Sequence, residues 1–206
     1  MIRKVLDYLF PSFTCLGCRG EINSSQYPRI CDKCLSELEF AVPTAKGDVR
    51  TPFIYNGTIA KMILGLKYQS DGHVAETLAP FMRVIIKPKQ YDFVVPVPLA
   101  KSRERERGYN QATLLAREVF QDELEIKQVL EKKKKTTPQV KMSTEERIAN
   151  QSGAYMVNNP KDVKGKRILV IDDVITSGAT TNEITRVLKE NGAKKVHVLA
   201  IARVQS

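Results

Sequence analysis

The chain is 206 residues long with 42% hydrophobic content, enough for one ordinary domain plus a small module around a real apolar core. Its apolar runs are far too short to span a bilayer and no secretory signal pattern precedes them, so the expectation is a folded cytoplasmic protein without membrane insertion. A net charge of +10, from 33 Lys and Arg against 23 Asp and Glu, suits anionic partners, whether nucleic acid, nucleotides or a sugar diphosphate, and does not choose among them.

Met1 to Phe13 places Ile2, Val5, Leu6, Leu9 and Phe10 on one side, which reads as a helix packed on the protein itself. All four cysteines follow, in Cys15-Leu-Gly-Cys18 and Cys31-Asp-Lys-Cys34. Two such knuckles at this separation match a four-thiolate zinc site of the zinc-ribbon kind, with Gly17 easing the first turn. An iron–sulfur cluster is the other metal reading. Disulfides fit poorly with an unsignalled chain, and a redox C-x-x-C does not ordinarily come twice. A segment of about 40 residues cannot bury enough surface alone, whereas structural zinc contributes on the order of 10–16 kcal/mol. Four thiolate ligands leave no open position for water, so a structural metal is expected rather than a catalytic one. The sequence divides accordingly into a helix and cysteine module over 1–46 and an α/β domain over 47–206.

Thr51 to Tyr55 reads as a short strand, followed by helical spacing through Ile59, Met62, Ile63 and Leu66. A polar turn over 66–72 leads to a second helix through Leu78, Phe81, Met82 and Ile85, which Pro88 ends. Asp92 to Leu99 is a strand whose Pro96 and Pro98 suggest a distorted or edge-like terminus. Lys101 to Ala112 then leads into an amphipathic helix carrying Leu114, Leu115 and Val119. The charges from Arg103 to Glu106 can pair on an exposed helix start. Arg107-Gly-Tyr-Asn-Gln111 has no obvious packing reason and offers polar and stacking groups. Basic residues concentrate in 101–117 and 127–147, including Lys132 to Lys135, as a solvated face or as a field for an anion. Residues 135–150 are polar, with a capping box at Ser143 and Glu146, and read as a lid that orders on binding or as a surface loop. A short strand over 153–157 follows.

The most informative stretch is Arg167 to Thr181. Ile168 to Ile171 has the continuous apolar pattern of a parallel strand buried on both faces, and it delivers Asp172 and Asp173 to its end. The small-residue loop Thr176-Ser177-Gly178-Ala179-Thr180 opens a helix with Ile184, Val187 and Leu188 on one face, stopped by Asn191-Gly192. Lys195 to Val204 is the next buried strand, which completes a βαβ unit. Ligands of open parallel sheets sit beyond the carboxyl ends of the strands, where these carboxylates and this loop belong. Gly178 lets the backbone approach an anion, the N–H groups at the helix start point at it, and the hydroxyls of Thr176, Ser177 and Thr180 add to them. No G-x-x-x-x-G-K-[ST] occurs, which argues against a P-loop.

At these residues the chain resembles the type I phosphoribosyltransferases, whose fold is a Rossmann-like α/β parallel sheet. The resemblance implies that Asp172 and Asp173 contact the ribose hydroxyls of 5-phosphoribosyl diphosphate, directly or through Mg²⁺ and water, and that Thr176, Ser177, Gly178, Ala179 and Thr180 bind the 5′-phosphate. It further implies a diphosphate loop at Leu99, Ala100 and Lys101, with Lys101, Arg103 and Arg107 as the candidate cations. The double C-x-x-C, Leu66-Lys67-Tyr68, Val95-Pro-Val-Pro98, Arg107-Gly-Tyr-Asn-Gln111, Thr137-Pro-Gln139 with Arg147 and Asn150, and Ile171 to Thr180 recur in fixed order along nearly the whole chain. On these motifs it is similar to the ComF (GntX-like) family of competence-associated phosphoribosyltransferase-like proteins. That likeness adds Lys67 to the donor-binding residues and implies zinc at Cys15, Cys18, Cys31 and Cys34. It also implies a role in handling incoming single-stranded DNA during natural transformation, with a competence helicase or DNA-processing proteins as partners. The expectation is a phosphoribosyltransferase whose acceptor the sequence does not name. The other reading is a non-catalytic DNA-binding or DNA-processing factor that keeps the donor site for regulation.

Overall fold

Residues 14–22, 29–42, 48–68, 72–133 and 153–205 are described by the computed structural model. The amphipathic stretch 1–13, the capping box at Ser143 and the lid over 135–150 lie outside the described residues. In chain order the elements are α1 (Asp32–Ser36), β1 (Val49–Arg50), β2 (Phe53–Ile54), α2 (Gly57–Tyr68), α3 (Gly72–Val84), β3 (Phe93–Pro96), α4 (Lys101–Arg107), α5 (Gln111–Phe120), β4 (Leu130–Lys132), β5 (Tyr155–Val157), β6 (Arg167–Ile175), α6 (Ala179–Glu190) and β7 (Lys195–Arg203). None of the described helices is long and apolar enough to cross a membrane.

Near-continuous branched residues put β6 and β7 at the centre of a parallel sheet, in the order β1–β7–β6–β3 with β2 also on β7. β4 and β5 form a separate antiparallel pair. Strand β3, expected to have a distorted or edge-like terminus, comes last among the named strands of the sheet, and on its outer side Val94 makes a parallel bridge to Ile126. The Val94 N–H turns outward to Glu125 O at 2.9 Å. Pro96 shares that outward side, so its missing N–H costs no bond to β6.

Side-chain alternation sorts the core into two layers. Leu169, Ile171, Leu199 and Ile201 pack with Leu66 of α2, Leu78 of α3 and Leu115 of α5. Ile168, Val170, Val196 and Val198 pack on the other face with Ile184 and Leu188 of α6 and Tyr155 of β5. Each of these fully buried side chains stabilises the fold by roughly 1.5–3 kcal/mol, and a cut to alanine at Leu115 would cost about 2–5 kcal/mol.

The cysteine segment belongs to the first of these layers. Cys15, Leu16, Ile30, Cys34 and Leu38 are buried in the same cluster as Phe53, Ile59 and Met62. Gly17 is required here by close approach rather than by the turn: a Cβ would meet Thr58 Cγ2 at 2.8 Å and Cys34 Sγ at 2.9 Å. Glu37 Oε2 accepts a hydrogen bond from Thr58 Oγ1 at 2.8 Å, which fastens the segment to the start of α2.

Candidate functional site

Strand β6 does not stop before the acidic pair. It runs on to Ile175, because β7 continues to pair with Asp172, Val174 and Ile175. Asp172 and Asp173 therefore lie within the sheet, 9% and 4% exposed, and not at its rim as the sequence suggested. The alternation slips across them. Ile171 and Val174 both face the first layer while Ile175 faces the second, and the ladder to β7 omits a partner for Asp173. An irregularity of this kind re-aims side chains beside a site. Asp173 turns toward α2 and α5, and Asp172 toward β5 and α6.

On the first side a polar chain links three motifs. Asp173 Oδ2 pairs with Lys67 Nζ at 3.1 Å and accepts from Gln111 Nε2 at 3.2 Å. Gln111 Oε1 accepts in turn from Arg107 Nη1 at 3.1 Å, and the Arg107 guanidinium lies 5.1 Å from the centre of the Tyr68 ring. Arg107 to Gln111 thus has a packing reason that the sequence did not reveal. Gly108 takes a left-handed conformation that ends α4, and the Tyr109 hydroxyl donates to Leu66 O. Asn110 caps α5 through Ala112 N at 2.9 Å and donates to Val97 O at 3.0 Å, which ties the helix to the end of β3.

Tyr155 and Lys132 lie near Asp172 on the second side, and Thr180 bonds to Tyr155. Burial, helped by the neighbouring Asp173 carboxylate, pushes the Asp172 carboxyl well above the usual carboxylate range. Burial and Asp172 together push the Tyr155 hydroxyl up to about 12, against a hydrogen bond from the Thr180 side chain. Lys132 Nζ sits 5.2 Å from the Tyr155 ring centre, so one lysine of the basic run faces the site. Tyr155 and Lys132 were missed as site residues. A signal existed for the tyrosine: it occupies an inward position of a strand, and a buried phenol needs a polar partner.

Two loops leave the carboxyl ends of the strands beside this pair. After β3, Pro98, Leu99 and Ala100 are half-buried, and Lys101 is exposed at the start of α4 with its Nζ 3.2 Å from Glu131. After β6, Thr176 and Ser177 are exposed, and Gly178 at φ 73 is the N-cap of α6 without a side-chain cap. That φ is what glycine supplies at small cost. Ser177 Oγ accepts only at 3.4 Å from Ala179 N, so the first turn of α6 presents its N–H groups outward.

The four cysteine sulfurs lie within 4.8 Å of one another. Cys18 and Cys31 are 3.8 Å apart, against about 3.8 Å for the edge of a tetrahedron with metal–sulfur bonds of about 2.3 Å. The Cys15 sulfur accepts from Gly17 N and Cys31 N, each at 3.3 Å. Burial pushes the Cys15 thiol up, but backbone hydrogen bonds from Cys18, Cys31 and Gly17 outweigh it and bring it down to about 6. Burial raises the Cys34 thiol far above its usual range, so the set needs a cation to hold four thiolates.

With its parallel sheet, acidic pair and βα loop, the chain has the type I phosphoribosyltransferase fold, beside a compact four-cysteine module of the zinc-ribbon kind, and residues 105–206 match the family model of the phosphoribosyl transferase domain. Competence protein F of Haemophilus influenzae is 27% identical over 208 residues, covering 92% of this chain and 90% of that protein. Competence protein ComFC of Streptococcus pneumoniae is 30% identical over 155 residues, covering 75% of this chain and 67% of its own. DNA utilization protein YhgH of Escherichia coli is 26% identical over 202 residues, covering 92% and 83%. The chain belongs to the ComF family of competence-associated, phosphoribosyltransferase-like proteins.

Proposed function

We propose that the chain binds 5-phosphoribosyl diphosphate with Mg²⁺ at the carboxyl edge of the sheet and acts as a phosphoribosyltransferase during natural transformation, in the handling of incoming single-stranded DNA. The observation that carries this is the order of parts around β6: two buried carboxylates, then a loop with Gly178 at φ 73, then the uncapped N-terminus of α6. In this reading Asp172 and Asp173 take the ribose hydroxyls. Thr176, Ser177, Gly178, Ala179 and Thr180 take the 5′-phosphate through backbone N–H groups and hydroxyls. Leu99, Ala100 and Lys101, with Arg107 and Lys67, hold the leaving diphosphate. The carboxylate oxygens of Asp173 suit a hard cation that keeps most of its contacts to water and substrate phosphates. Mg²⁺ would neutralise charge on the departing diphosphate. The residues themselves would orient the ribose and stabilise positive charge at its anomeric carbon, without a covalent nucleophile.

Structural zinc on Cys15, Cys18, Cys31 and Cys34 is part of the same proposal, supported by sulfur spacings that suit a single tetrahedral ion rather than a bulkier iron–sulfur cluster. The cytoplasm, where thiols stay reduced, fits such a site. Isothermal calorimetry tests the donor reading. Wild-type protein should bind 5-phosphoribosyl diphosphate in the presence of Mg²⁺, and the Asp172→Asn/Asp173→Asn variant should not. A folded wild type that takes up no donor would sink it.

A second reading is favoured by α4, whose Lys101, Arg103 and Arg105 are exposed beside the site, and by relatives named for competence and DNA utilization. Here the protein is a DNA-binding or DNA-processing factor, with a competence helicase or other DNA-processing protein as partner, and the donor site serves regulation. Titrating single-stranded DNA across salt separates the two. Phosphate contacts give a linear fall of log affinity with log salt, at about 0.7 per contact. Absent or salt-independent binding would remove this reading.

A further inference from the structure

The charge on Asp173 is already balanced from within the chain. Lys67, in the last turn of α2, brings Nζ to 3.1 Å from Asp173 Oδ2, and Gln111 Nε2 reaches the same oxygen at 3.2 Å. The Lys67 side chain is 22% exposed and that of Asp173 is 5% exposed, so this pair is largely removed from solvent. Asp172 supplies no second arm of a chelate. It turns to the opposite layer, and its Oδ1 accepts the Asp173 N–H at 2.8 Å. A free divalent cation arriving here would have to displace a desolvated ammonium and would gain a single carboxylate. Mg²⁺ sheds its water reluctantly and is ordinarily held by one or two carboxylates plus substrate phosphates.

We infer that Lys67 is the resident counter-cation of Asp173 and keeps free divalent metal out of the ligand-free site, so that metal enters only in company with the phosphorylated donor. The second half of that statement rests on the donor reading above. Lys67 is the cation suited to this exchange. Its ammonium is a point charge on a flexible four-carbon stem, able to leave Asp173 for a phosphate oxygen. Arg107 contacts Tyr68 and Gln111 rather than Asp173, so it takes no part in the exchange at that carboxylate. A polyanion brings oxygen ligands for the metal and a new partner for the lysine in one step, which opens Asp173 without stranding either charge.

Mn²⁺ is the probe, followed by water-proton relaxation, which reports metal held on the protein. Without donor, the wild type and Lys67→Arg should take up little Mn²⁺, while Lys67→Gln should bind it about tenfold more tightly or better. That gain should vanish in Lys67→Gln/Asp173→Asn. Wild-type protein that binds free Mn²⁺ as tightly as Lys67→Gln, or a gain that survives loss of Asp173, overturns the inference. Should Lys67→Gln fail to fold, the wild type alone decides: Mn²⁺ uptake only in the presence of 5-phosphoribosyl diphosphate supports the inference, and equal uptake without it overturns it. If Lys67→Gln binds Mn²⁺ while the wild type binds none even with donor, the counter-cation role stands and the donor reading falls.

Discussion

Gln111 donates to Asp173 through Nε2 at 3.2 Å while its Oε1 accepts from Arg107 at 3.1 Å. An uncharged side-chain amide can do both at once, because it carries a donor and an acceptor on the same carbon. Gln111→Leu leaves Asp173 short of a donor inside the sheet, which should cost about 1–3 kcal/mol of stability. Arg107 loses its anchor in the same change. Calorimetry and thermal melting together should show a lower Tm and donor affinity reduced about tenfold or more. A Gln111→Leu protein that melts and binds as the wild type does would take this link out of the site.

Asp172 is a different case, since ionising it works against the fold. Its folded pKa is raised, chiefly by burial, above the unfolded value of about 3.9. The native state therefore binds more protons than the unfolded chain between those two values. This contribution to stability is complete below about pH 4 and is lost as pH rises through the folded pKa. Asp172→Asn removes the titration. It should be more stable than the wild type at pH 8, with a rise in Tm of roughly 2–4 °C for each kcal/mol recovered, and flatter across the acid-to-neutral range. Donor binding should be lost at the same time. A variant less stable than the wild type at pH 8 would contradict this account of the burial cost.

What the sequence made legible follows from how local each signal is. The run from Arg167 to Arg203 encodes its strands and helix in unbroken apolar patterns, so β6, α6 and β7 were readable, and Gly178 announced its own backbone geometry. Strand length was less legible. Asp172 and Asp173 look like the end of a strand, but the ladder to β7 continues through Asp172, Val174 and Ile175 and keeps them within the sheet. The slip in alternation across the acidic pair depends on that same pairing. Arg107 to Gln111 was visible as a motif, but its work is done on distant residues, Leu66, Tyr68, Val97 and Asp173, which no spacing encodes. Lys132 read as one charge in a run until β4 and β5 paired and set it over Tyr155.

The cysteine module shares its apolar cluster with β2 and α2, so metal loss should not be confined to the first forty or so residues. Metal analysis should find about one zinc per chain. Structural zinc contributes on the order of 10 kcal/mol, which is comparable to the whole stability of a domain at about 5–15 kcal/mol. Cys34→Ser, at a side chain 2% exposed, should therefore lower the main unfolding transition, monitored by far-ultraviolet circular dichroism, and chelation of the wild type should do the same. A chelated protein with an unchanged main transition would show the module to be dispensable to the fold.

Gly178 offers the most direct test of the loop between the acidic pair and α6. At φ 73, any L side chain pays about 1–2 kcal/mol for the left-handed conformation. Space is not the obstacle: the nearest atom to an added Cβ is Asn182 Nδ2 at 3.5 Å, an ordinary contact. Gly178→Ala can keep the left-handed turn and lose that amount of stability, or relax it by rotating the backbone. Rotation would swing the first N–H groups of α6 away from the position an anion requires. Inorganic phosphate then separates the outcomes by thermal shift. It should raise the Tm of the wild type, raise that of Gly178→Asn less, since asparagine tolerates the left-handed region better than alanine, and leave Gly178→Ala unmoved. An equal shift in all three would place phosphate binding somewhere other than this loop.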